Sequence, residues 1–156
     1  VDSARKTISR LENLPPLSIE MPNKDEAEDW RNQFQRLVHF FRRIAEGKVL
    51  VPAPKFVGCG IIDTCFGDVL FGRTLYEVKA GQRPFRSVDI RQLLLYAALN
   101  KAESERQLEH VGLFNPRTGL SFSIGLDELC WEVAGSPSQD LLTELIRLIS
   151  SGDVSR

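Results

Sequence analysis

The stretch Gly67-Asp68-Val69-Leu70-Phe71-Gly72-Arg73-Thr74-Leu75-Tyr76-Glu77-Val78-Lys79-Ala80-Gly81 constrains the fold more than any other part of the chain. It reads as a short strand, a turn at Gly72-Arg73, and a longer strand with apolar Leu75 and Val78 among polar neighbours. Gly72 supplies the turn, since glycine takes positive φ without a Cβ penalty. A hairpin centred there sets Asp68 across from Glu77, and facing Cβ atoms in an antiparallel pair lie about 5 Å apart. Two carboxylates that close repel unless positive charge lies between them. Lys79, two residues past Glu77, shares its face of the strand. Asp, Glu and Lys therefore converge on one spot, which is what a hard divalent cation and a water molecule require. Without the facing aspartate, Glu77 and Lys79 would be only an exposed ion pair of little energetic value.

At 156 residues the chain holds one domain with a real core, read as residues 23–156 behind an N-terminal arm of residues 1–22. Apolar residues make up 42% and charged residues 26%, the balance of a soluble globular protein. The net charge of -1 excludes a domain that lives on bulk attraction to nucleic acid, so any such contact must come from a local patch or a partner subunit. No run approaches the roughly 18 apolar residues that span a bilayer, and no signal-peptide pattern opens the sequence. Cys59, Cys65 and Cys130 form neither a CxxC pair nor an even set, which argues against structural zinc and a disulfide framework. The expectation is a cytoplasmic protein with no membrane partner. His39 and His110 lie far apart, and His39 is expected to pack on an apolar helix face.

Asn23 is placed to cap a helix with Glu26 at its third position, and Trp30, Phe34, Leu37, Val38, Phe41 and Ile44 recur at helical spacing as far as Gly47. The charged face of that helix, with Arg31, Arg36, Arg42 and Arg43, reads as solvated surface. Residues 55–63 are predicted to form a strand loosened by two glycines. Ser87 or Asp89 then begins a helix to Asn100 that is apolar on nearly every side, as a helix sandwiched between a sheet and another layer would be. Gln92 and Tyr96 interrupt it on one face, four residues apart. Their polar tips need partners, whether a loop carbonyl and plain core packing or a site beside them. A strand over His110–Phe114, a turn at residues 115–119, a half-exposed strand at residues 120–124, a short helix over Asp127–Val133 and a closing helix over Gln139–Ile149 capped by Ser138 complete the chain. The fold class is α/β (α+β), with a mixed central sheet flanked by helices and a C-terminal hairpin and helix.

Asp68, followed by Glu77-Val78-Lys79 and then by Gln92-Leu93-Leu94-Leu95-Tyr96, resembles the PD-(D/E)xK nuclease superfamily with its restriction-endonuclease-like fold. The closer likeness is to the branch with a Gln-x-x-x-Tyr helix, to which RecB-type exonuclease domains belong. The likeness covers about Asp25 to Asn115, where the order helix, three strands, helix, strand matches that superfamily's αβββαβ core. Gly67 stands where the family motif has proline, and Asp63 competes with Asp68 as first acid. The resemblance implies metal-dependent hydrolysis of DNA phosphodiester bonds, with Mg²⁺ (or Mn²⁺) held by Asp68 or Asp63, Glu77 and the carbonyl of Val78. Lys79 would orient or deprotonate water, and Gln92 and Tyr96 would border the site. Arg73, Lys79, Arg83, Arg86 and Arg91 outnumber Glu77 and Asp89 over that stretch, so Arg83, Arg86 and Arg91 are the candidate phosphate-binding residues. Their alternative is a solvated loop.

The implied role is a nuclease within a prokaryotic defence, restriction or repair system, with specificity supplied by a partner protein or a homodimer. RNA stands as an alternative substrate to DNA. A catalytically inactive nuclease-fold module, acting as a structural or nucleic-acid-binding subunit, is the competing expectation.

Overall fold

The computed structural model describes residues 22–103 and 107–152. The chain divides between Arg31 and Asn32 into two units. Helix α1 (Lys24–Ala45) starts at a reciprocal cap: the Asn23 side chain accepts the Glu26 N–H at 2.9 Å, and the Glu26 carboxylate accepts the Asn23 N–H at 2.9 Å. Strands β1 (Leu50–Pro52), β2 (Lys55–Phe56), β3 (Cys65–Phe66), β4 (Val69–Phe71) and β5 (Thr74–Val78) follow. Helix α2 (Ser87–Glu103), strands β6 (His110–Phe114) and β7 (Ser121–Gly125), and helices α3 (Leu126–Ala134) and α4 (Ser138–Ser151) complete the described elements.

Five strands form one mixed sheet in the order β1-β4-β5-β6-β7, antiparallel except for the parallel β5–β6 pair. Parallel neighbours need a long crossover, and α2 provides it. The β4–β5 hairpin turns at Gly72-Arg73 as the sequence predicts, with Gly72 at φ +56° and Val69 opposite Tyr76. One step further along that register lies the pair Asp68 and Glu77. Alternation along β5 sends Leu75 to one face and Tyr76 to the other. Leu75, Val111 and Leu113 lie in a core with Leu93, Ala97 and Leu99 of α2, Leu129 and Cys130 of α3 and Leu142 of α4. On the other face Tyr76, Phe71 and Phe114 pack against Phe40, Phe41 and Ala45 of α1. Phe40 stacks on Phe114 with ring centroids 3.9 Å apart, and Phe41 meets Tyr76 edge-on at 5.6 Å. Gly112 sits directly opposite Tyr76, where a Cβ would come within 2.4 Å of the ring, so the tyrosine can lie flat only over glycine.

Four expectations need correction. Residues 55–63 are not one strand. Only Lys55–Phe56 is extended, paired with Cys65–Phe66 in a separate two-stranded ribbon, and a Cys59–Ile62 bridge closes the turn between them. Two glycines in three residues favour that turn over a ladder. The edge strand of the main sheet is Leu50–Pro52 instead, an edge being where proline costs no ladder bond. The apolar stripe of α1 is buried only towards its C-terminal end: Trp30 and Phe34 are 60% and 66% exposed, while Phe40, outside the predicted stripe, is core. His39 is exposed rather than packed. Finally, Pro137 occupies the N-cap of α4, and Ser138 donates its N–H and hydroxyl to Asp127 at 2.8 and 2.9 Å.

Candidate functional site

The carboxyl end of β5 faces the first three turns of α2, and every polar side chain there is engaged with another. Lys79 Nζ donates to Glu77 Oε1 at 3.0 Å and to Gln92 Oε1 at 2.6 Å. Gln92 Nε2 donates to the same Glu77 oxygen at 2.8 Å and to the Tyr96 hydroxyl at 2.8 Å. Tyr96 passes its own proton to the Phe66 carbonyl at 3.1 Å, and its ring stacks on Phe56 with centroids 5.2 Å apart. The strand period brings Glu77 and Lys79 to one face and the helix period brings Gln92 and Tyr96 to meet them. The sequence-predicted residues Glu77, Lys79, Gln92 and Tyr96 are therefore assembled. Burial holds the Tyr96 phenol above its ordinary range, which keeps it a donor. The neighbouring Cys65 thiol is likewise raised, first by burial and then by Glu103 and Glu77, so it carries no thiolate nucleophile.

Glu77 is the group under tension. It is only 6% exposed, and while Oε1 accepts two hydrogen bonds, Oε2 is buried without a partner. Burial raises its pKa above the ordinary carboxylate range, the Lys79 hydrogen bond opposes this, and the charge of Asp68 adds to the rise. Asp68 is partly exposed and accepts the Val78 N–H at Oδ2, 2.6 Å away, while its own carbonyl holds the Ala53 N–H at 2.9 Å. When both acids are ionised no proton lies between them. A cation there would satisfy both.

One residue the sequence reading treated only as a helix start is central. Asp89 is 2% exposed and accepts from Arg83 Nη1 and Nη2 at 2.7 Å each and from the Arg86 N–H at 2.8 Å, with Lys79 Nζ 3.9 Å away. Its pKa falls to about 2, mainly through the Arg83 hydrogen bonds. The acid lies one turn ahead of Gln92, a spacing that could have flagged it. Asn115, also buried, donates to the Gly81 carbonyl at 2.7 Å and accepts the N–H groups of Arg117 and Thr118. Of the predicted phosphate ligands, Arg83 is thus committed to Asp89, while Arg86 and Arg91 are exposed.

The predicted metal ligands divide. Asp68 and Glu77 come together; Asp63 does not join them, because the turn over residues 57–63 leaves it exposed instead of extending it along a strand. Among the described residues no group of three or more His, Cys, Asp or Glu side chains gathers as a ligand set. Two carboxylates nevertheless suit Mg²⁺, which keeps several waters and is commonly held by one or two carboxylates together with substrate phosphate. Glu77 Oε2, buried and unbonded, fits such an ion. For Val78 the hydrogen bond seen is that of its N–H to Asp68, and its side chain packs towards α1.

Neither a protein-family model nor a curated protein matches the chain. No helix among the described residues is long and apolar enough to cross a membrane.

Proposed function

We propose that this chain is a metal-dependent nuclease of the PD-(D/E)xK type that hydrolyses DNA phosphodiester bonds. The observation that carries the reading is the unpartnered, buried Glu77 Oε2 beside Asp68, with the Lys79 ammonium 3.0 Å from the other Glu77 oxygen. The element order α1-β1-β4-β5-α2-β6, with β5 and β6 parallel and the β2–β3 ribbon inserted, supports a restriction-endonuclease-like core.

Asp68 and Glu77 would hold Mg²⁺ or Mn²⁺, which supplies charge neutralisation at the scissile phosphate and a more acidic water. Lys79 is fixed by Glu77 and Gln92, so its ammonium is aimed before substrate arrives, and it stabilises the charge that develops on the phosphate oxygens. Gln92 holds Glu77 Oε1 and Lys79 together, and Tyr96 fixes the amide of Gln92. Asp89 anchors Arg83 and the loop that follows Lys79. The chain's part is orientation and electrostatics. A role within a prokaryotic defence, restriction or repair assembly, with a partner supplying specificity, belongs to the same proposal.

Purified chain incubated with Mg²⁺ or Mn²⁺ on linear and circular DNA, with RNA alongside, tests the reading. Lys79→Ala is expected to reduce cleavage roughly 10²- to 10³-fold. Cleavage that survives Lys79→Ala and Glu77→Ala alike would place the chemistry elsewhere, and a folded parent inactive on every substrate would favour the non-catalytic module.

A further inference from the structure

Two open clefts lie on either side of the turn after β6 and share Gly119. The first, about 530 Å³, is lined by Gln82, Arg83, Thr118 and Gly119 and adjoins the loop that follows Lys79. The second, about 370 Å³, lies towards α1 and is lined by Phe40, Phe114, Arg36, His39 and Arg43. Three stretches meet around them: residues 32–45, 79–88 and 110–126. Together they carry seven cationic residues (Arg36, Arg42, Arg43, Lys79, Arg83, Arg86, Arg117) and no acid, in a chain of 20 Lys and Arg against 21 Asp and Glu. Glu77 and Asp89 answer Lys79 and Arg83, while Arg36, Arg42, Arg43 and Arg86 form no ion pair among the described residues.

The rim between the clefts is also braced. Arg36 donates to the Arg117 carbonyl at 2.6 Å and, more weakly, to that of Pro116 at 3.4 Å. Arg117 Nε donates to the Ala80 carbonyl at 3.1 Å, one residue past Lys79. With Asn115 holding Gly81, a continuous set of hydrogen bonds runs from α1 through the turn to the end of β5. A plain solvated face has no need of cross-links between three elements. Fixed guanidinium groups along a groove are what a phosphodiester backbone recognises.

We infer that these two clefts form one track for the backbone of a DNA strand, with Arg43, His39 and Arg36 gripping phosphates remote from the bond that is cut. The inference deepens the nuclease reading and rests on it for the identity of the polymer. It gives a function to a helix face that looks like ordinary surface in the sequence. Continuity with the Lys79 loop favours substrate over an acidic protein partner.

The test is binding of a fluorescently labelled DNA duplex to the full chain in EDTA, by anisotropy over a series of KCl concentrations. Arg43→Ala, at an exposed position, is expected to make the slope of log K against log[salt] shallower by about 1 and to weaken low-salt binding roughly three- to tenfold. Arg147→Ala, which removes one charge from the exposed face of α4, is the control and should leave the slope unchanged. An unchanged slope for Arg43→Ala, or equal losses in the two variants, overturns the track, as does a parent that does not bind DNA. Cleavage with Mg²⁺ is scored separately. A selective Arg43 effect in a chain that never cuts DNA would uphold the track and sink the nuclease reading.

Discussion

Glu77 and Asp89 are both carboxylates more than nine-tenths buried, they flank the same lysine, and the fold treats them in opposite ways. Asp89 receives a guanidinium through two nitrogens and a backbone N–H, and its pKa drops to about 2. Glu77 receives two bonds on one oxygen and none on the other, faces a second acid, and its pKa rises. Burial alone therefore does not decide the fate of an acid; the donors around it do. The satisfied carboxylate fixes the loop carrying Arg83 to the helix carrying Gln92. The deprived one stores unfavourable electrostatics that a bound cation would relieve, and on the proposed reading that difference separates the scaffold from the catalytic centre.

The largest test of this contrast is Glu77→Gln. Activity should fall on the order of 10³-fold, the equivalent of several kcal/mol of lost transition-state stabilisation. Stability without metal should move the other way. The amide oxygen can still accept from Lys79 and Gln92, and the amide nitrogen supplies protons where Oε2 has none. A folded-state pKa above the unfolded value means that the native protein holds this proton more tightly, so ionising Glu77 destabilises the fold as pH rises. Thermal unfolding in EDTA between about pH 4 and 8 should show the parent losing stability with rising pH relative to the variant, by about 1–2 kcal/mol at neutrality. Mg²⁺ should restore the parent and leave the variant unmoved. If the variant is less stable than the parent at neutral pH, Glu77 is not the strained partner.

Asp89→Asn probes the satisfied member. The folded pKa of about 2 lies below the ordinary aspartate value of 3.8, so the ion pair contributes fully above about pH 4 and fades as pH falls towards 2. The contribution is about 2 kcal/mol. Acid titration of stability should therefore be steeper for the parent than for Asp89→Asn below about pH 4, with the variant less stable by that amount at neutrality. Superimposable acid-unfolding curves would show that Arg83 does nothing for the fold.

What the sequence reveals of this arrangement follows how local each signal is. The Gly72 turn and strand alternation fix the Asp68–Glu77 register within ten residues, and helical spacing fixes Gln92 over Tyr96. Asp89 is harder to read, because its burial depends on residues 81–87 folding back so that Arg83 can reach it. Asp63 is a candidate ligand only while residues 55–63 are extended, and two glycines turn that segment aside. The stripe on α1 shows the same limit: periodicity selects a helix face, but only the stretch against Phe71, Tyr76 and Phe114 is covered. Arg83 is attractive as a phosphate ligand from charge alone until a buried acid claims it.

Tyr96→Phe gives the smallest expected effect and tests whether the Glu77 side is as loosely held as the contrast requires. The ring would keep its stacking on Phe56, while the hydroxyl that accepts from Gln92 at 2.8 Å and donates to Phe66 at 3.1 Å is lost. Gln92 retains Glu77 and Lys79 as partners, so the cost is that of one hydrogen-bond link, about 1 kcal/mol by chemical denaturation. Cleavage should drop less than tenfold, through a slightly freer Gln92 amide and not through any contact with the reacting phosphate. A loss matching that of Asp89→Asn would mean that the two sides are braced equally. In that case the orphaned oxygen of Glu77 would sit in a rigid polar core, and the division between a fixed scaffold and an ion-seeking centre would not hold.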